Sequence, residues 1–191
     1  MSETESGTPS SANNTPRVTP GKGLELSPLA LLASKVGSKV TGTDDVRLFS
    51  TLGRVRRLFP AWLLYSGMMM PFGVLSRKET ELVILRVSYL RESAYERNHH
   101  EHLGARIGLT AEEIERTKAD PAEATWSKRI GAMLTVAGEL VARRDVTDET
   151  WASVSAHLNE RELVALVMLV TQYDGLATTL HTLRVQLDRK D

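Results

Sequence analysis

The chain contains no cysteine. That absence excludes a disulfide, a thiolate metal site and a cysteine nucleophile together. An excess of charge of one sign is lacking as well, since 24 Lys+Arg stand against 24 Asp+Glu, for a net charge of zero. So balanced a chain has no pull toward nucleic acid or an anionic membrane, and neither partner is expected. Long apolar runs are missing too. The longest, Leu163 to Val170, is eight residues, well short of the roughly 20 that span a bilayer. The first residues are polar and acidic, with no apolar stretch behind a basic start, so no secretory leader is expected and the cytoplasm is the expected location. Sustained period-two alternation, the mark of half-buried strands, is absent throughout.

What is present divides in two. Fifteen of residues 1–22 are Ser, Thr, Gly, Pro or Asn, and only Met1, Ala12 and Val18 are apolar. Such a segment buries too little apolar surface to offset ordering entropy, so a disordered polar tail is expected there. Residues 23–191 are expected to form a single all-α domain. Helix starts are marked by reciprocal capping pairs, Ser76 with Glu79, Thr110 with Glu113, and the variant Asn159 with Glu162. Asp120 before Pro121 marks another. The pattern predicts helices near 28–40, 45–58, 60–69, 77–91, 93–107, 111–118, 121–143, 148–157, 160–172 and 174–188. A weak internal repeat, best read as a duplicated helical hairpin, sets Glu81 and His100 against Glu162 and His181; a second register aligns the capping pairs of Glu79 and Glu162.

The densest set of titratable groups runs from Glu79 to His102. Glu96 and His100 are four apart and share a helix face. A turn near Glu92–Ser93 would return their helix alongside the one carrying Glu81. A buried carboxylate beside an imidazole suits general acid/base work, because the carboxylate orients the ring and favours its charged form while desolvation opposes it.

Glu81, eleven residues, Ser93, two residues, Glu96, three residues and His100, followed by Gly108-Leu109-Thr110 and Glu112-Glu113-Ile114, resembles the core motif of the carboxymuconolactone decarboxylase family, which includes the alkylhydroperoxidase D proteins. The resemblance implies an alkylhydroperoxidase D-like helical fold. Redox members carry two cysteines where this chain has Ser93 and Glu96. Thiol-dependent peroxidase chemistry, which needs a thiolate to attack and a second thiol to resolve, is therefore excluded. What remains is similar to the non-redox branch, which acts by proton transfer without metal or organic cofactor. On that resemblance His100 is the expected general acid/base, Glu81 its orienting carboxylate and Glu96 a second acid/base group. Ser93 and Tyr95 are expected to hydrogen-bond a small-molecule substrate, an organic acid, lactone or carbonyl compound. Trp62, Tyr65, Met69 and Phe72 are expected to line its pocket. A homo-oligomer, trimer or hexamer, is implied likewise.

Three other readings compete. The same carboxylates and imidazole would also serve as a buried network tying two helices, in a binding or assembly protein without chemistry. His99, His100 and His102 with Glu96 suggest a metal site, but their spacing brings only pairs onto one face, so no metal is expected and the extra histidines are expected in solvent. A helix-turn-helix over 103–118 would set Glu112, Glu113 and Glu115 against a DNA backbone.

Overall fold

The capping pairs read from the sequence all close. In the computed structural model, which describes residues 15–189, Ser76 Oγ accepts from Glu79 N at 3.3 Å while Glu79 returns the bond to Ser76 N at 2.9 Å. The Thr110–Glu113 and Asn159–Glu162 pairs form in the same reciprocal way. Each satisfies two of the N–H groups that a helix start leaves without intrahelical partners.

The described residues hold a short 3₁₀ turn, Gly23–Glu25, and nine α-helices with no strand. The helices are α1 (Pro28–Thr41), α2 (Arg47–Leu52), α3 (Leu58–Met69), α4 (Arg77–Leu90), α5 (Ala94–Arg106), α6 (Ala111–Arg116), α7 (Lys128–Arg143), α8 (Asp148–Ser155) and α9 (Glu160–Leu183). The all-α expectation holds. Helix α4 is the centre, packed against α5, α7 and α9. Every residue from Thr80 to Ser88 is buried, so α4 is enclosed on all sides rather than amphipathic. Val83, Ile84 and Val87 meet Met133, Leu134 and Val136 of α7 and Leu166, Leu169 and Val170 of α9 in the main core. Each such side chain removed from water is worth about 1.5–3 kcal/mol.

Buried Arg86 faces the other way, its Nη1 donating to the carbonyls of Thr117, Lys118 and Ala119 at 2.9–3.1 Å. It thereby fastens the chain where α6 ends.

Four expectations change. The segment predicted as one helix over 45–58 is broken, because Gly53 packs against Ala30 too closely to admit a side chain and Arg54 turns to Thr19 and Glu25. The helix predicted from residue 121 starts at Lys128. Asp120 does accept a bond from Ala122 N, but this closes only a local turn, and Ser127 is the cap that starts α7. The helices predicted over 160–172 and 174–188 are one helix, α9, so the second copy of the supposed hairpin is straight. Asp174 does not break it, being paired with Arg91 of the α4–α5 turn. The polar tail expected over 1–22 is bound to the fold in its described part. Arg17 N donates to Leu183 O at 3.0 Å and Gly21 N to Ser50 O at 2.8 Å; residues 1–14 lie outside the described residues.

By length and composition α9 could cross a membrane, with 24 residues and a mean hydropathy of 1.5 over its most apolar window. Its Leu163, Leu166, Leu169, Val170 and Leu176 are buried within the fold instead.

Candidate active site

Glu81 sits in the second turn of α4 with no exposure at all. The turn after α4 runs through Glu92, whose φ of 52° is left-handed, and sends α5 back beside α4. That reversal brings His100 Nδ1 to 2.7 Å from Glu81 Oε2. The second oxygen of Glu81 accepts from Arg77 Nη2 at 3.5 Å, one turn earlier on α4. With Nδ1 committed to the carboxylate, Nε2 is the ring nitrogen left for other chemistry. Tyr173 of α9 sets its ring edge-on to His100, with centroids 5.3 Å apart at 81°.

Glu96 lies one turn before His100 and is 2% exposed, yet neither carboxylate oxygen has a hydrogen-bond partner. Burial disfavours its charged form and pushes its pKa up to about 7, with the nearby Ser93 hydroxyl and the His100 ring pulling the other way and Asp174 adding to the rise. His99 is half-buried, stacked on Tyr95 with ring centroids 6.4 Å apart. Burial, and then the neighbouring His100 and His102, lower its pKa to about 3, so it is neutral near pH 7. Burial also raises the Tyr173 phenol, helped by the negative Glu81 and Glu96.

These groups share a cavity of about 530 Å³ between α3, α5 and α9. Glu96, His99, His100 and Tyr173 form its polar end, and Trp62, Leu63, Met70 and Phe72 part of its apolar wall. The structure thus brings together Glu81, Glu96 and His100, with Trp62, Tyr95 and Phe72 on the cavity. The other expected substrate contacts are elsewhere. Tyr65 and Met69 line a separate cavity of about 180 Å³ beside Met168 and Leu169, because α3 presents them to its other side. Ser93 opens behind α5, onto a groove that also holds Arg47 and Arg184. Although the Tyr95 ring lines the main cavity, its hydroxyl accepts from Leu48 N at 3.1 Å and donates to Asp188 at 2.9 Å.

Sequence reasoning missed Ser66, Gln172 and Tyr173, which reach the cavity from α3 and α9. No spacing signal marks them, since only the packing of α9 across α5 brings them in. His99, expected in solvent, lines the cavity. Among the described residues no group of three or more His, Asp or Glu converges as a metal site.

Comparison with known proteins agrees with this architecture. Residues 57–139 match the sequence model of the carboxymuconolactone decarboxylase family. None of the curated proteins compared with the chain matches it. Among solved structures, the alkylhydroperoxidase AhpD core of an uncharacterized peroxidase-related protein from Ralstonia eutropha JMP134 superposes with a TM-score of 0.77 at 15% identity, covering 90% of this chain and 92% of that one. A point variant of the debrominase Bmp8, in complex with 2,3,4-tribromopyrrole, gives 0.76 at 13% identity, covering 89% and 90%. ATU0492, a protein of unknown function from Agrobacterium tumefaciens, gives 0.64 at 16% identity, covering 69% and 91%. At these identities the likeness speaks for the fold. The 57–139 segment, which carries Glu81, Glu96 and His100, is thus similar to the carboxymuconolactone decarboxylase family, in a cysteine-free form.

Proposed function

We propose that the protein is an enzyme of the lyase or isomerase type that moves a proton on a small carbonyl compound, lactone or organic acid, using side chains rather than a cofactor. The observation that carries this reading is the Glu81–His100 pair at 2.7 Å beside an unpartnered, buried Glu96, all at one end of a cavity. Glu81 holds His100 with Nδ1–H toward it, so Nε2 carries a lone pair and acts as general base on a proton next to the substrate carbonyl. The electrons released move into the carbonyl, and the protonated Glu96 donates to the oxygen as negative charge develops there. Return of the proton to a different carbon completes an isomerisation; loss of carbon dioxide in place of the first proton gives a decarboxylation. General catalysis of this kind is worth about 10²–10⁴-fold in rate. The match of residues 57–139 to an enzyme family and a fold shared with a debrominase support an enzymatic role.

The test is exchange of carbon-bound hydrogen for deuterium in D₂O, followed by NMR over a panel of cyclic ketones, lactones and keto acids. H100A should lower the exchange rate of any molecule the wild type accepts by roughly 10²-fold or more. E81Q should lower it less, because the ring remains but is no longer held. H100A proteins that stay folded and exchange at the wild-type rate would remove His100 from catalysis.

A second reading has an observation behind it. Arg77, Glu81 and His100 form a continuous chain of polar contacts, which a binding protein would also use to lock α4 to α5. In that case small molecules would raise the melting temperature without any exchange or turnover.

A further inference from the structure

The charge of the cavity wall narrows what can enter it. Among the described residues, no lysine or arginine lines the 530 Å³ space. Arg77, the α4 cation close to the site, is bound to Glu81 and is not part of the wall. The arginines of this end of the fold, Arg17, Arg47, Arg184 and Arg189, instead line a groove on the other side of Tyr95, outside the cavity. A carboxylate entering the cavity would meet Glu96, with Glu81 close behind and already paired to His100, and no lysine or arginine. Burial of an anion without a countercharge costs several kcal/mol, and a like charge beside it adds to that.

The polar inventory points the same way. Gln172 Nε2 donates to Ser66 Oγ at 3.4 Å, so these two are turned on one another. The Tyr95 hydroxyl is occupied by Leu48 and Asp188. Beside His99, His100 and Tyr173, Glu96 is the group that is 2% exposed and has no partner on either oxygen. A buried carboxyl left unsatisfied costs about 1–3 kcal/mol unless something in the cavity completes it. Its neutral form has one O–H to give. Around it the wall is Trp62, Leu63, Met68, Met70, Phe72 and other apolar side chains, and a volume of 530 Å³ falls within the roughly 300–1,000 Å³ of ordinary ligand pockets.

Resting on the proton-transfer reading of this site, we infer that its ligand is an uncharged, mainly apolar molecule with a hydrogen-bond-accepting carbonyl, a ketone or neutral lactone, seated with that oxygen on Glu96, and that carboxylates of the same size are rejected. Within the range of substrates considered from the sequence, this removes the organic acids and keeps the carbonyl compounds and lactones.

The experiment is calorimetric titration of the whole protein with two probes of matched size, 2-acetylnaphthalene and 2-naphthoate, at about pH 6, where Glu96 is mainly protonated and the naphthoate ionised. The ketone should bind at least roughly tenfold tighter than the carboxylate. E96Q, whose amide still donates, should keep that affinity, whereas E96L should lose roughly fivefold or more; thermal melting confirms that each variant is folded. Equal or tighter binding of the naphthoate, binding of neither probe, or undiminished ketone binding by E96L would overturn the inference. Its failure is distinguishable from failure of the proposed chemistry. Selective ketone binding without deuterium exchange on any compound leaves the ligand class standing and removes proton transfer; exchange confined to keto acids does the reverse.

Discussion

A glutamate enclosed in α5 with neither oxygen partnered carries a cost that depends on pH. The folded state raises the Glu96 pKa from 4.5 to about 7, so the native protein holds this proton more tightly than the unfolded chain does. The stability from that proton is fully present below pH 4.5 and is lost as pH rises through about 7. A shift of that size corresponds to about 3 kcal/mol. E96Q, which cannot ionise, should match the wild type in stability near pH 4.5 and exceed it progressively up to about 3 kcal/mol above pH 7–8. Urea midpoints across that range measure the difference, and a gap that stays constant with pH would show that Glu96 is not the group responsible. The opposite sign applies to His99. Its lowered pKa means the unfolded chain takes up its proton first, so its contribution is present above about pH 6.5 and is lost as pH falls toward 3. H99F should therefore resist acid better than the wild type between those limits, a difference that melting temperatures would show.

Among the helices, local signals were legible and non-local ones were not. Three reciprocal caps, the turn at Glu92–Ser93 and the shared face of Glu96 and His100 are all set by residues within one or two turns of each other. Glu81 could be joined to them because a tight turn allows one antiparallel pairing. By contrast, the break at Gly53 depends on Ala30 of α1, and the continuity of α9 through Asp174 depends on Arg91 of another element. The same limit explains the pocket. On α3 the sequence shows aromatic and methionine side chains but not how the helix is rotated, so it could not tell that Trp62 lines the larger cavity while Tyr65 and Met69 line the smaller one. The register that aligns Glu79 with Glu162 has a physical counterpart, for Arg129 of α7 bridges both, at 2.6 and 2.8 Å. One arginine thus ties the starts of α4 and α9. R129A should cost about 1–2 kcal/mol, more than an ordinary surface pair because two partly buried carboxylates lose their partner together. A double-mutant cycle with E79Q should recover a large part of that loss as coupling.

At the scale of the whole molecule, the outer side of α3 is unusually bare. Leu58, Leu64 and Met68, with Phe72 just beyond, are each more than half exposed, and Val164 of α9 is 59% exposed. We propose that a second copy of this chain covers these residues, as the homo-oligomer expected from the resemblance would require. Leu64, Met68 and Phe72 also line the cavity, so that copy would close its mouth. Light scattering behind size exclusion should find an oligomer for the wild type and a monomer for L64E; a monomeric wild type would rule the association out. A long-range closure within the fold runs through Asp188, which accepts from Arg47 N and from Tyr95. D188A leaves both donors without their acceptor and should cost about 1–3 kcal/mol, read by thermal melting.

The bond from Tyr95 to Asp188 spans 93 positions of the chain. On the ribosome, α4 and α5 emerge with Glu81, Glu96 and His100 already in order, long before residue 188 is made. Until then the Tyr95 hydroxyl, at the rear of the helix bearing two of the three groups, is held by Leu48 N alone. The α4–α5 turn likewise waits for Asp174. Completion of the candidate site is therefore among the last events in making this protein, and nascent chains halted short of α9 would hold its residues without its architecture.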